Sequence, residues 1–120
     1  MSSRSKGFSK SNRLTKAAEY QRVFDSSQRF TDKYFLILAS QNELDIARLG
    51  LAISKKRLRS AVLRNRIKRL VRESFRENKT TLAGKDIVVL AGKGIATGDK
   101  KTLVKSLKRH WVKVSLCKRS

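Results

Sequence analysis

Between Arg64 and Arg76 the chain reads Arg-Asn-Arg-Ile-Lys-Arg-Leu-Val-Arg-Glu-Ser-Phe-Arg, and no other run restricts the fold as strongly. At about 100° per residue its side chains separate into two arcs of one helix. Leu63, Ile67, Leu70, Val71, Ser74 and Phe75 form an arc that can seal against a core. Arg64, Asn65, Lys68, Arg69, Arg72 and Arg76 form the neighbouring arc, which must stay in water. Solvated helix faces usually alternate sign into i,i+4 ion pairs. Here only Glu73 and Glu77 oppose the cations. Asn65 is a poor helix former, so its place among arginines indicates a hydrogen-bonding task. Guanidinium forks held on rigid backbone grip phosphate oxygens two at a time. The helix is built for a polyanion.

The rest of the chain has the same bias. Thirty Lys+Arg against nine Asp+Glu give a formal charge of +21 on 120 residues. Repulsion on that scale opposes compaction unless a partner supplies negative charge, and nucleic acid is the commonest such partner. A membrane surface would require a free apolar face, whereas the apolar arc here is needed for the core. No stretch approaches the roughly 20 apolar residues of a membrane span, and the serine-rich basic start lacks the apolar centre of a secretory signal. The single cysteine, Cys117, has no internal disulfide partner, which fits a reducing cytoplasm. It reads as incidental.

One domain is expected at this length, with residues 1–12 a flexible basic arm, 13–117 the single nucleic-acid-binding domain and 118–120 a tail. Leu14 to Phe24 predicts a helix with Leu14, Ala17, Ala18 and Phe24 on one side and Thr15 offering a cap. Arg29 to Ser40 predicts one strand apolar on both faces. After a polar turn at 42–45, Arg48 to Lys55 alternates as a half-buried strand, expected antiparallel to its predecessor. The basic helix should span Ser60 to Asn78, with a further short strand around Lys55 before it. Asp86 to Ala91 predicts a central strand covered on both faces. A glycine-rich loop, Gly92 to Gly98, precedes a helix from Asp99 that aligns Leu103, Leu107, Trp111 and Val114. The class is α+β, a compact sandwich.

Catalytic groups are scarce. His110 is the only histidine, and beside Trp111 on the last helix it reads as structural or solvated. Metal-dependent nucleases converge several carboxylates on their ions, but Glu73 and Glu77 are expected to pair with Arg69, Arg72 and Arg76. Ser54 and Ser74 lack a visible base, and the Gly92–Gly98 spacing matches neither common phosphate-loop fingerprint. Any reaction this chain joins has its chemistry done elsewhere. The aromatics give a second clue. Tyr20 and Phe24 are an i,i+4 pair, and Phe30, Tyr34 and Phe35 crowd the first strand. One small core that also holds Phe75 and Trp111 does not easily absorb all five. Rings interleaved with cations suit single-stranded nucleic acid. Tyr20 and Phe24, with Lys55 and Lys56, outline such a groove.

The Arg64–Arg72 run, preceded by Gly50-Leu51-Ala52-Ile53-Ser54-Lys55-Lys56, resembles the signature of the protein subunit of bacterial ribonuclease P. The resemblance extends from about Leu14 to Leu116 and takes in Glu19 to Phe24, Phe35 to Ala39 and Asp86 to Ala91. It implies a mixed sheet with three helices in a two-layer sandwich, ordered α-β-β-β-α-β-α, with a left-handed strand–helix–strand crossover where chain physics favours the right-handed one. It implies an accessory subunit of the tRNA 5′-maturation endoribonuclease, in which the RNA and its Mg²⁺ cut the phosphodiester and no organic cofactor takes part. The RNA-subunit contacts carried over are Arg59, Arg64, Asn65, Arg66, Lys68, Arg69, Arg72 and Arg76. The contacts to the 5′ leader of precursor tRNA are Tyr20, Phe24, Phe35, Ser54, Lys55 and Lys56. Partners expected are the catalytic RNA and precursor tRNA, with no membrane, DNA or obligate protein partner and no catalytic or metal-ligating side chain. A structural ribosomal-type protein that clamps folded RNA without a substrate is the alternative. A helix-turn-helix DNA binder would need two helices joined by a tight turn, and here strands flank the basic helix.

Overall fold

The computed structural model describes residues 12–116. Its elements are α1 (Ala17–Ser26), β1 (Gln28–Thr31), β2 (Phe35–Gln41), β3 (Arg48–Ala52), α2 (Ala61–Asn78), β4 (Lys85–Ala91) and α3 (Lys100–Leu116), with a 3₁₀ turn at Ile95–Thr97. This is the expected α+β class with the expected element order. The arm and the tail, including Cys117, lie outside the described residues except for Asn12. That residue, expected at the end of the arm, is buried and donates from Nδ2 to the Ala47 carbonyl at 2.8 Å.

The extra strand comes from a different place than expected. Arg29 to Ser40 is not one strand but the hairpin β1–β2, and nothing around Lys55 is extended. Asp32 makes the break, because its Oδ1 accepts from the backbone N–H of Tyr34 at 2.9 Å and of Phe35 at 3.0 Å. Such a carboxylate turn substitutes for ladder bonding. Beyond β3, the Leu58 N–H reaches the Ser54 carbonyl at 3.1 Å, turning the chain where a strand to Lys55 was expected.

β3 is also not a neighbour of β2. The sheet order is β1-β2-β4-β3, with β4 antiparallel to β2 and parallel to β3. Asn42 redirects the chain: its amide donates to the Ile46 carbonyl and Asp86 Oδ1, and its carbonyl accepts from the Leu44 N–H. The chain then passes beyond the slot beside β2, and the continuously apolar β4 fills it. Two neighbours and two covered faces are what such a strand requires.

The sheet faces divide by alternation. Phe35, Ile37, Ile87 and Val89 face Ile67, Val71 and Phe75 of α2 and Leu107, Trp111 and Val114 of α3. The Trp111 indole donates to Ser74 Oγ at 2.8 Å and meets Phe75 edge-on, so the one polar residue of the buried α2 arc has a defined task. On the opposite face Leu38 and Val88 pack against Val23 of α1 and against Leu14. The buried side of α1 is thus Val23, not the expected Ala17, Ala18 and Phe24, which are exposed. Leu14 precedes the helix and hydrogen-bonds to the edge strand through Leu49 O. Lys16, not Thr15, occupies the cap position, and Glu19 Oε1 accepts from both of their N–H groups.

His110 is structural. It is 2% exposed, 3.3 Å from Asp32 Oδ2, and neither ring nitrogen makes a hydrogen bond. Burial pushes its pKa down, more strongly than the Asp32 carboxylate draws it back. Burial also raises Asp32, but the Ser106 hydroxyl at 2.6 Å, two backbone N–H groups and His110 outweigh it and hold the carboxyl at about 2. For His110 the unfolded chain binds the proton first, so this contribution is whole above pH 6.5 and declines as pH falls toward the lowered folded value. The Asp32 contribution is lost only between 3.8 and about 2. Melting temperature should therefore fall from pH 7 to pH 5 in the wild type and much less in His110→Asn. A wild-type melting temperature flat over that interval would contradict it.

Candidate nucleic-acid interface

α2 begins where Ser60 Oγ accepts the Leu63 N–H at 3.2 Å, and it runs 18 residues, close to the expected span. Arg66, Arg69, Arg72 and Arg76 are exposed, as is Asn65, while Lys68 is half-buried. None of these cations lies within 4 Å of a carboxylate among the described residues, so the expected pairing of Glu73 and Glu77 with Arg69, Arg72 and Arg76 does not form. The row is less neutralised than its sequence implied. Its flanks differ. Lys68 and Arg72 turn toward Tyr20 and Arg13 and line a small cavity of about 170 Å³. Arg66 and Arg69 turn the other way, over a groove against the start of α3.

Arg64 has a different part. Its Nη1 donates to the carbonyls of Leu58 and Arg59 at 2.8 and 2.9 Å, so it braces the turn leading into α2 and is only half-exposed. Arg59 itself is exposed on that turn.

The second surface lies where α1 fails to cover the sheet. Leu36, Ala52 and Leu90 are half-buried around the Val23 cluster and, with Tyr20, leave an apolar strip on the α1 side. The Tyr20 ring lies directly on Gly50: a Cβ there would sit 2.6 Å from Tyr20 Cε2. Gly50 is therefore the residue that lets the ring lie flat against the edge strand. Phe24 is 44% exposed and takes no part in the core. Ser54, Lys55 and Lys56 are exposed on the turn just past Ala52. Phe35 does not belong to this surface. It is completely buried on the opposite face, because alternation along β2 points Leu36, not Phe35, toward α1. Leu36, Ala52 and Leu90 went unselected in the sequence, although the two-sided apolar pattern of β2 carried the signal.

α1 is fixed over the sheet by a partly buried network centred on the buried Asp86. Arg48 Nε and Nη2 each donate to Asp86 at 2.8 Å, and Nη1 donates to Glu19 Oε2 at 3.0 Å. The Asp86 bonds raise the Arg48 pKa, and the Lys16 and Thr15 N–H groups lower that of Glu19. The acids thus serve caps and ion pairs. Among the described residues no three His, Cys, Asp or Glu side chains converge as metal ligands, and no helix is long and apolar enough to cross a membrane.

The chain is similar to known proteins. The family model for ribonuclease P matches residues 8–115. The ribonuclease P protein component of Thioalkalivibrio sulfidiphilus is 45% identical over 109 residues, covering 91% of each chain. That of Pseudomonas aeruginosa is 46% identical over 108 residues, 89% of this chain and 80% of its own. Among solved structures, a mutant RNase P protein from Staphylococcus aureus superposes with a TM-score of 0.80 at 34% identity, covering 88% of this chain and 89% of that one. The Thermotoga maritima RNase P protein gives 0.66 at 33% identity, covering 81% and 96%. With the family model and these relatives each matching most of its length, the chain belongs to the ribonuclease P protein component family.

Proposed function

We propose that this protein, as the protein subunit of ribonuclease P, binds the catalytic RNA through α2 and the 5′ leader of precursor tRNA along the strip beside α1. The observation that carries the reading is the unpaired cation row on α2, set on a fold that also presents an apolar and aromatic strip beside α1. Phosphate contacts need the first and single-stranded bases the second. Membership in the family makes the chain a component of the ribonuclease P complex that matures tRNA 5′ ends. Cleavage is assigned to the RNA. Mg²⁺ is assigned mainly to the RNA as well, which agrees with the lack of any three converging His, Cys, Asp or Glu side chains among the described residues. We place the complex in the cytoplasm on the strength of its lone cysteine.

The test is reconstitution with a bacterial ribonuclease P RNA at low Mg²⁺. The protein should stimulate 5′ maturation of precursor tRNA and cleave nothing without the RNA. Phe24→Ala and Tyr20→Ala should each weaken binding of precursor tRNA with a leader of several nucleotides by roughly 1–3 kcal/mol, about five- to 150-fold. Binding of mature tRNA, which has no leader, should change little. Phe24 is exposed, so its variant should keep its melting temperature, separating stacking from packing. Equal losses for both tRNAs would mean that the leader lies elsewhere.

A further inference from the structure

Between α2, the 3₁₀ turn and the first turn of α3 lies a groove of about 510 Å³ whose apolar interior neither surface above uses, although Arg66 and Arg69 of the α2 row stand over it. Its floor is Ile67, Ile95 and Leu103, all nearly buried, and Leu63 stands 40% exposed on its wall. Around the mouth stand Arg66 and Arg69 from α2, Lys100 from α3, and two carboxylates, Glu73 and Asp99. The Asp99 carboxyl accepts the Thr102 N–H at 2.8 Å, which lowers its pKa and keeps it an acceptor.

We propose that this groove holds one unpaired guanine of the RNA that α2 binds, a reading that rests on α2 being an RNA-binding helix. The size falls within the range of sites for small planar ligands. An apolar slot with charges only at its mouth suits a group with greasy faces and a polar edge. Guanine matches the mouth in both signs. Its N1–H and N2–H₂ donors answer a carboxylate, and its O6 and N7 acceptors answer an arginine. Adenine offers no imino donor, and uracil no exocyclic amine. Sequence-selective RNA binding commonly reads such splayed-out bases at their edges. The cations on both lips would hold the flanking phosphates. An apolar peptide segment would fill the slot but leave the five mouth charges unanswered.

The experiment uses the full chain, ribonuclease P RNA and kethoxal, which adds across N1 and N2 of unpaired guanines. One guanine reactive in free RNA should be protected in the wild-type complex. It should regain reactivity at saturating Ala96→Trp, which fills the groove from its exposed lip. Affinity should fall about tenfold while the salt dependence stays unchanged, because no cation is removed. Leu63→Asn, at a half-open wall position, should do the same and guards against misfolding of the first variant. If neither variant exposes a guanine, or both bind as wild type, the groove does not hold a base. A protein occupant would give that result. If the wild-type chain does not bind the RNA at all, the fault lies with the reading of α2 itself.

Discussion

Replacing Arg48 with methionine is expected to cost about 3–5 kcal/mol of folding stability, the scale for breaking a buried ion pair from one side. The Asp86 side chain is 1% exposed and takes two bonds from Arg48, leaving only the Asn42 amide at 2.9 Å when the arginine is gone. A buried carboxylate left with one neutral donor is poorly compensated for the water it has lost. Glu19 suffers less, since the Thr15 and Lys16 N–H groups still hold it. The control is Arg48→Met with Asp86→Leu. Removing both charges together should restore most of the loss, because Asn42 keeps its bond to the Ile46 carbonyl. Urea unfolding of the three variants measures this. A single-variant loss below about 1 kcal/mol, or a double variant no better than the single, would show that Asp86 is solvated in solution.

That network is also where sequence reading stopped. Helices α2 and α3 were legible because period and caps agree: Ser60 and Asp99 cap them, and the stripe of Leu103, Leu107, Trp111 and Val114 is buried as the spacing requires, whereas α1 was misread in both cap and buried side. Alternation likewise marks β3 as a strand. It cannot name a strand's partner, because pairing is decided by where the connection travels, and that depended on Asn42 bonding to Asp86, 44 residues away. The hairpin at Asp32 was hidden for a related reason. The flanking residues are good strand formers, and one carboxylate accepting two N–H groups overrides them. At the candidate site, the cation row followed from sequence because it lies on one helix. Assignment of Phe35 to the groove failed because a single step in alternation decides which face a strand residue takes. The brace made by Arg64 had no signal at all, since an arginine bonded to two carbonyls looks in sequence like any other arginine in the row.

The difference between Arg64 and its neighbours gives the α2 reading its sharpest consequence. Arg69→Ala, Arg72→Ala and Arg76→Ala together should weaken binding to ribonuclease P RNA by about 3 kcal/mol or more, at about 1 kcal/mol for each charge-assisted contact. That is a loss on the order of 100-fold. All three side chains are exposed and have no ion-pair partner among the described residues, so the melting temperature should hold or rise slightly as self-repulsion falls. The slope of log affinity against log salt should flatten by about 2–3 units, reflecting three phosphates no longer neutralised. Arg64→Ala should behave differently, lowering the melting temperature because the Leu58 and Arg59 carbonyls lose their donor. Its effect on the RNA should then follow from a loosened turn, with the salt slope changing less than for any one of the three. Should the triple variant keep the wild-type slope, the phosphates are neutralised elsewhere and α2 is not the main contact. Should Arg64→Ala flatten the slope by a full unit while the fold stays unshifted, the brace dissolves when RNA arrives and Arg64 joins the row.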